Sequence, residues 1–278
     1  SLIKENTDRI TGWVFDNKAN LRLATRSAEN GDTEFLRLDS EEFARIYSCS
    51  VLEICNPVRF DASNAKLYFV TNKGEPDLAQ LMLMDPADGS ATFVENDPLN
   101  RVDFGGAIFS DLTDTLIATV YEDERERIYW KDKRFEADYQ WLRKKLPAHR
   151  IGFGSRTADE KRFIVSASSD TEPGETYLLD RPKKQLTLQY RIREKLPRES
   201  LAAMRPIRYR SSDGLEIPAF LTLPKGIPPK NLPVVVTPHG GPWARDGWGY
   251  SSMHQFLANR GYAVLSMNFR GSAGYGKR

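Results

Sequence analysis

The chain lacks several features that define large classes of proteins. It has two cysteines, Cys49 and Cys55, which are too few for a disulfide framework. We expect them to be reduced packing residues, with a bridge or a metal pair as the alternatives, and this favours a reducing compartment such as the cytoplasm. Lys and Arg total 40 against 38 Asp and Glu. The resulting net charge of +2 gives no basic field for nucleic acid or an anionic membrane.

Long apolar runs are also missing. No run of 18 apolar residues exists, so no transmembrane helix is expected. Residues 1–6 lack the apolar core of a signal peptide, and because Ser1 is not methionine we expect the chain to begin partway through a larger protein. No His or Cys cluster has metal-ligand spacing, and neither glycine-rich nucleotide motif occurs. We therefore expect neither a metal nor a cofactor.

An internal repeat dominates the first two thirds of the chain. Each repeat has a polar turn, a short strand rich in β-branched or aromatic residues, a second turn and a strand ending in Asp. The closing residues are spaced 46, 47 and 48 positions apart: Asp39, Asp85, Asp132 and Asp180. A period of about 40–50 residues filled with strands is typical of β-propeller blades, and a β-sandwich is the alternative. Four blades are few for a closed propeller, so further blades are expected upstream.

Two segments depart from the repeat. Residues 134–146 predict a helix inserted between strands, either as a surface helix or as a docking element for a partner. Its apolar residues recur at helical spacing: Phe135, Tyr139, Leu142 and Leu146. Residues 193–200 break the rhythm and predict a linker, which puts the domain boundary between residues 195 and 196.

The last third predicts the start of an α/β domain. Strands at 207–210 and 217–223 flank an Asp213-Gly214 turn, and the apolar run at 234–236 is typical of a buried strand. A helix over 250–260 is predicted from the spacing of its apolar side chains, which are Met253, Phe256 and Leu257. Another strand follows at 262–267. Strand, helix and strand in this order predict a βαβ crossover with parallel strands.

The tetrad His239-Gly240-Gly241-Pro242 comes directly after the apolar run. Glycines lack Cβ atoms, so a substrate can approach their backbone closely, and their N–H groups can point at an oxyanion in acyl transfer. Pro242 has no N–H, which leaves Gly240 and Gly241 as the donors. A tight Gly-Gly-Pro turn is the structural alternative.

Residues 237–242, together with residues 268–276 one crossover later, resemble the prolyl oligopeptidase family of serine peptidases. Within that family the sequence is most similar to the acylaminoacyl-peptidase and dipeptidyl-peptidase-like branch. The resemblance covers essentially the whole chain, with specific motifs over 205–276 and weaker ones in the repeat. It implies a propeller of seven or eight blades that limits access to short peptides. The predicted fold is a partial β-propeller of about four blades, residues 1–195, followed by the N-terminal part of an α/β-hydrolase domain, residues 196–278.

The resemblance also implies roles for individual residues. The N–H of Gly241 contributes to an oxyanion hole, and the other members of the tetrad form its loop: His239, Gly240 and Pro242. Asn268 and Arg270 border the active site, where Arg270 either braces the loop or contacts substrate. No cofactor is implied.

The remaining histidines and serines are interpreted as structural. His239 is a loop residue rather than the catalytic base, because α/β hydrolases follow the chain order Ser, Asp, His. His149 and His254 are expected to be structural too. Two serines are expected to be turn or capping residues, because neither lies in a Gly-x-Ser-x-Gly motif: Ser251 and Ser272.

The nucleophile motif is absent, and 36 residues follow the tetrad. Without a nucleophile, acid and base, an oxyanion donor has no tetrahedral intermediate to stabilise. We therefore expect an interior portion of a serine peptidase that cleaves short or N-terminally blocked peptides through an acyl-enzyme, inactive by itself. The alternatives are an esterase on the same scaffold and a non-catalytic propeller module that binds a partner. The sequence leaves open whether the parent enzyme is a homo-oligomer.

Overall fold

The structure is a computed structural model that describes residues 5, 6, 9–39 and 42–278. The chain forms two compact units, one reaching Tyr121 and including Gly274–Arg278, and the other spanning Glu122–Ala273. Residues 1–4, which carry most of the expectation about a signal peptide, lie outside the described residues. Among the helices that are described, none is long and apolar enough to cross a bilayer.

The first unit is built from antiparallel sheets whose neighbouring strands are consecutive in the chain. Two sheets have four strands each, in the orders β1-β2-β3-β4 and β5-β6-β7-β8, and β9 pairs antiparallel with β10. The bounds are β1 Ile10–Phe15, β2 Leu21–Ser27, β3 Thr33–Asp39, β4 Glu42–Cys49, β5 Cys55–Phe60, β6 Leu67–Thr71, β7 Gln80–Met84, β8 Ala91–Glu95, β9 Gly106–Phe109 and β10 Leu116–Glu122. In both four-stranded sheets the two middle strands are those that the repeat predicts.

Buried side chains join the first two sheets. Phe35 of β3 and Phe69 of β6 are fully buried, and their rings meet edge to face with centroids 5.8 Å apart. They belong to one apolar cluster, made of Leu23, Phe35, Cys49, Cys55, Phe60, Leu67, Phe69 and Met84. The two sheets therefore share a core, as successive propeller blades do.

The two cysteines form a disulfide. Cys49 ends β4, Cys55 begins β5, and their Cα atoms are 6.0 Å apart, within the range that a disulfide requires. The expectation of reduced cysteines is therefore wrong. The short connection between neighbouring sheets brings both side chains into the shared core, where they meet. The sequence argument for a reducing compartment loses its basis.

The last residues of the chain are bound to the second sheet of the first unit. The carboxylate of Asp77 accepts hydrogen bonds from the backbone N–H groups of Lys277 and Arg278, both at 2.9 Å. The Lys277 ammonium donates to the carbonyls of Asn72 and Gly74 at 2.7 and 2.6 Å. This unit therefore contains two segments that are 200 positions apart in sequence.

The second unit contains a complete blade-like sheet. Its first elements are β11, Glu126–Trp130, and helix α1, Lys133–Lys145. An antiparallel sheet in the order β12-β13-β14-β15 follows. Its strands are Arg150–Arg156, Arg162–Ser168, Glu175–Asp180 and Gln185–Arg191.

Helix α1 confirms the inserted helix that the sequence predicts. The carboxylate of Asp132 caps it by accepting from the backbone N–H groups of Arg134 and Phe135 at 2.8 and 3.3 Å. Phe135 is buried and packs edge to face on Phe163 of β13, with centroids 5.8 Å apart. The helix is thus part of the blade's core packing.

After the blade, the chain forms a mixed sheet. The elements are a 3₁₀ turn η1 Arg198–Ser200, β16 Met204–Arg210, β17 Glu216–Thr222, β18 Val234–Val236, helix α2 Ser252–Ala258 and β19 Ala263–Met267. The sheet order is β16-β17-β19-β18, and β18 runs parallel to β19. The predicted crossover is confirmed. The boundary at residues 195 and 196 falls between β15 and β16, inside the second unit, and stays a prediction.

Strand β18 is not buried as its apolar sequence predicts. Val234 and Val236 are 58% and 52% exposed. The reason is that β18 lies at the sheet edge, with β19 as its one neighbour among the described strands.

Helix α2 also differs from the prediction, because two of the three apolar residues that predict it point outward. Met253 and Phe256 are 58% and 53% exposed, whereas His254 and Gln255 are buried. The Gln255 amide accepts from the N–H of Ala202 and donates to its carbonyl, both at 2.8 Å. Burying this amide is inexpensive because both its donor and its acceptor are satisfied.

Candidate active site

The parallel pairing of β18 and β19 brings two loops to the same edge of the sheet. Parallel neighbours end on one side, and the carboxyl ends of such strands are where α/β proteins bind ligands. The oxyanion loop, residues 237–250, follows β18, and the border loop, residues 268–273, follows β19. Every site residue that the sequence predicts lies on one of these two loops.

The His239 ring connects the two loops. Its Nε2 lies 2.7 Å from the hydroxyl oxygen of Ser272, and its Nδ1 lies 2.8 Å from the carbonyl oxygen of Gly240. The ring also stacks on Phe269, with centroids 4.4 Å apart and an interplanar angle of 18°. Both ring nitrogens are therefore engaged within the loops, as in a residue that shapes the site.

Asn268 fastens the border loop to the oxyanion loop at a second point. Its side-chain oxygen accepts from the N–H of Asp246 at 2.7 Å, and its amide nitrogen donates to the Asp246 carbonyl at 3.1 Å. The N–H of Ala273 donates to the carbonyl of Ala244 at 2.9 Å. Asn268 is 3% exposed. The predicted border residue thus works as a bidentate clamp on backbone rather than as an exposed contact.

Asp246 introduces a carboxyl group into this arrangement. Burial raises its pKa, and the nearby His239 ring counteracts part of that rise. Its Oδ2 atom is buried and has no hydrogen-bond partner among residues 9–39 and 42–278. The protonated form of Asp246 is therefore more favoured at this site than it would be in water.

The two glycines of the tetrad differ in their steric environment. Gly241 has φ +132°, and a Cβ atom there would lie 2.7 Å from the backbone nitrogen of Trp243. A Cβ atom on Gly240 would meet no atom within 4 Å. In the described part of the chain, no backbone hydrogen bond uses the N–H of either glycine as donor. Gly241 is thus required by conformation, and Gly240 leaves open space in front of the backbone.

Pro242 shapes the next turn of the loop. Its carbonyl accepts from the N–H of Ala244 at 2.8 Å. The intervening Trp243 is 83% exposed, so its side chain stands beside the glycines in solvent.

Arg270 makes its ion pair outside the two loops. Its guanidinium pairs with Asp213, in the turn between β16 and β17, and both side chains are more than half exposed. A hydrogen bond from the Ser211 hydroxyl holds the pKa of Asp213 below its usual value. The ion pair connects the border loop to the β16–β17 turn, and the role of Arg270 stays a prediction.

A cavity of about 150 Å³ lies beside Trp248 on the oxyanion loop. Arg125 stacks over the Trp248 ring at 3.9 Å, and Arg150 pairs with Glu122 and Glu126 at 3.0 and 2.7 Å. Burial raises the pKa of Glu122. Sequence reasoning missed this cavity because its lining combines residues 122–150 with residue 248.

Ser272 is the site residue whose contact the sequence analysis missed. Its N–H donates to the Phe269 carbonyl at 2.9 Å, as a turn serine would, but its hydroxyl reaches His239, 33 positions away. The crossover that puts both loops at one edge is the signal that could have found this pair. Where side chains are described, no group of three or more His, Cys, Asp or Glu residues is placed to hold a metal ion.

Known proteins resemble this chain along its length. It is 34% identical over 290 residues to dipeptidyl aminopeptidase BIII of Pseudoxanthomonas mexicana, covering 100% of this chain and 41% of that protein. It is 29% identical over 307 residues to dipeptidyl peptidase family member 6 of Caenorhabditis elegans, covering 97% and 40%. No family model matches. The chain therefore spans about two fifths of these relatives.

Solved structures show the same fold. Prolyl oligopeptidase B of Galerina marginata superimposes with a TM-score of 0.68 at 13% identity, covering 98% of this chain and 39% of that one. With the five sheets described above, such likenesses confirm the predicted fold class, a partial propeller followed by the first part of an α/β-hydrolase domain.

Proposed function

We propose that this chain, a homologue of peptidases of the prolyl oligopeptidase family, supplies the oxyanion loop and part of the propeller of a serine peptidase. Its homologues are peptidases, and peptide hydrolysis is the activity that they share. Short peptides are the proposed substrates. We also propose the boundary between the two domains at residues 195 and 196.

One observation carries this proposal. Gly240 and Gly241 lie in the loop after β18, and in the described structure their N–H groups donate to no backbone carbonyl. His239 contacts the Gly240 carbonyl, and Asn268 holds the same loop at Asp246. In acyl transfer, a preorganised backbone N–H of this kind helps to stabilise the negative oxygen of the tetrahedral intermediate. In this fold one donor comes from the present loop and the other follows the nucleophile.

The proposed reaction uses a serine that these 278 residues do not contain in a Gly-x-Ser-x-Gly motif. A serine hydroxyl attacks the peptide carbonyl, its proton passes to a base, and the amine leaves to give an acyl-enzyme that water hydrolyses. Gly241 would donate to the carbonyl oxygen in both steps. We propose that residues 1–278 alone are inactive, and that nucleophile, acid and base come from sequence outside them.

The test compares the full-length protein with residues 1–278. The full-length protein should react with a fluorophosphonate probe and hydrolyse chromogenic dipeptide amides, whereas residues 1–278 should do neither. Absence of both labelling and turnover in the full-length protein would refute the peptidase proposal. Labelling with turnover of esters but not of amides would assign the scaffold to an esterase.

A further inference from the structure

We propose that Ser272 is a positioning residue that acts through His239 to fix the direction of the Gly241 N–H. This inference rests on the proposed function of Gly241 as an oxyanion donor, and it identifies what orients that donor. Two hydrogen bonds carry it, from Ser272 to His239 and from His239 to Gly240.

The first step concerns the proton on the His239 ring. A carbonyl oxygen can only accept, so the 2.8 Å contact between Nδ1 and the Gly240 oxygen requires a proton on Nδ1. In the neutral ring, Nε2 is then an acceptor, and the Ser272 hydroxyl at 2.7 Å must donate to it. Ser272 thereby selects the Nδ1–H tautomer of His239.

The second step concerns the peptide unit between Gly240 and Gly241. This peptide is trans and planar, so its C=O and its N–H point in opposite directions. The oxygen of the unit belongs to Gly240 and the N–H belongs to Gly241. When His239 holds the oxygen, the Gly241 N–H is directed away from the His239 ring.

The third step explains why this peptide needs to be held. Glycine accepts many backbone conformations, and two glycines in succession allow the peptide between them to rotate. If His239 carried its proton on Nε2, the lone pair of Nδ1 would face the Gly240 oxygen and repel it. Without the Ser272 hydroxyl, nothing favours an unprotonated Nε2, so the His239 proton is no longer confined to Nδ1. The peptide between Gly240 and Gly241 then loses the hydrogen bond that fixes its orientation.

The surroundings of Ser272 agree with positioning rather than with attack on a substrate. Ser272 is 7% exposed, so a substrate carbonyl cannot reach its hydroxyl. Phe269 stacks on the His239 ring and restricts its rotation. The hydroxyl also keeps its bond when His239 is protonated, since it can then accept from Nε2–H.

The activity test uses the full-length enzyme with Ser272→Ala and Ser272→Thr. Complete loss of an oxyanion donor costs about 10²–10³ in kcat, so a misdirected donor in Ser272→Ala should lower kcat by roughly 10- to 100-fold. KM should stay within about twofold, because the donor acts on the transition state. Ser272→Thr retains the hydroxyl and should restore most of kcat.

The matched control is Ser251→Ala. This change removes a hydroxyl that caps α2, at 3.3 Å from the His254 N–H, without touching His239. It should lower the unfolding midpoint slightly and leave kcat within about twofold of wild type. Equal kcat in Ser272→Ala and wild type, or equal losses in Ser272→Ala and Ser251→Ala, would overturn the proposal.

A second measurement keeps the inference separate from the peptidase proposal. Residues 1–278 contain three histidines, and selective ¹⁵N-histidine labelling of the full-length protein with NMR at alkaline pH can report the tautomer of each neutral ring. We expect Nδ1–H for His239 in wild type and a shift toward Nε2–H in Ser272→Ala. An Nε2–H ring in wild type would overturn the inference even if the enzyme is active. If the enzyme proves inactive, the peptidase proposal fails while this readout still decides the role of Ser272.

Discussion

The sheet β12–β15 and the sheet β16–β19 lie in the same unit and have four strands each, but they are connected differently. In the first, every strand pairs antiparallel with the next one in the chain. In the second, β19 enters between β17 and β18 after a helical crossover. Hairpins keep neighbouring loops local in sequence, whereas the crossover places residues 33 positions apart in direct contact.

The two sheets also differ in what they contribute: the sheet β12–β15 provides a packed core, and the sheet β16–β19 carries the candidate active site. The blade concentrates aromatic rings around Phe163, which meets Phe135 and Phe153 at 5.8 and 5.6 Å. The mixed sheet is less covered, with two exposed valines on β18, but its parallel ends carry the candidate active site. The four changes below, from the largest expected effect to the smallest, test this division.

The largest effect is expected in the blade core, from Phe163→Ala. Phe163 is 1% exposed, and its removal leaves a cavity between α1 and the sheet. We expect the free energy of unfolding to fall by about 3–5 kcal/mol in urea titrations. The matched change on the mixed-sheet side, Phe256→Ala, removes a ring that is 53% exposed and should alter stability by no more than about 0.5 kcal/mol. Similar losses of unfolding free energy in Phe163→Ala and Phe256→Ala would contradict the proposed difference between the two sheets.

The next effect concerns activity rather than stability. Gly241→Ala places a Cβ atom 2.7 Å from the Trp243 nitrogen and should displace the donor, lowering kcat of the full-length enzyme by about 10²–10³. Gly240→Ala meets open space and should lower kcat much less. Steady-state kinetics of the two variants give the comparison. The assignment of Gly241 fails if Gly240→Ala is the more damaging change.

A smaller loss of stability is expected from the double change Cys49→Ala, Cys55→Ala. The disulfide closes a loop with a sequence separation of 6, for which chain entropy gives about 2 kcal/mol. Unfolding in urea should show this loss, and wild type under a strong reductant should lose a similar amount. The double variant should not respond to the reductant. Two reactive thiols in denatured, unreduced wild type would contradict the disulfide.

The smallest effect is a pH dependence centred on His254 in the mixed sheet. His254 is 5% exposed, its Nδ1 lies 2.9 Å from the Thr222 hydroxyl, and burial lowers its pKa below the ordinary 6.5. The unfolded chain therefore takes up this proton at higher pH than the folded one. Neutral His254 therefore contributes fully to the free energy of unfolding above pH 6.5. This contribution declines as the pH falls from 6.5 toward the pKa of His254 in the folded protein.

The measurement is the free energy of unfolding at a series of pH values from about 7 to about 5. His254→Asn should flatten the decline, whereas Thr222→Val removes the hydroxyl partner, keeps the imidazole and should retain the decline. An unchanged slope in His254→Asn would assign the pH dependence to another group.

Much of the fold was predictable because the decisive residues are local in sequence. The middle blade strands combine apolar alternation with a regular period, and α1 shows both its helical spacing and its Asp132 cap. The outer strand β15 was not predicted, although Leu186, Leu188 and Tyr190 alternate with polar residues along it, and six of its seven residues are exposed. The glycines of the tetrad marked the loop after β18 as a candidate site, and its role in an oxyanion hole stays a prediction.

The rest depends on contacts through space. Gln255 and His254 face the sheet because Ala202 and Thr222 satisfy them, so the apolar spacing of α2 pointed to the wrong face. Cys49 and Cys55 meet because neighbouring sheets share a core. The Ser272 contact requires knowing which strands are adjacent, and spacing alone does not give that.

The contact between Asp77 and Lys277 has a consequence for the order of events on the ribosome. Asp77 is synthesised 200 residues before its partner backbone at Lys277. During translation, residues 122–273 must all emerge before Lys277 can donate to the carbonyls of Asn72 and Gly74. The unit that is begun first therefore waits for residues 122–273 before it can be completed, and a nascent chain interrupted within those residues would leave these carbonyls to water.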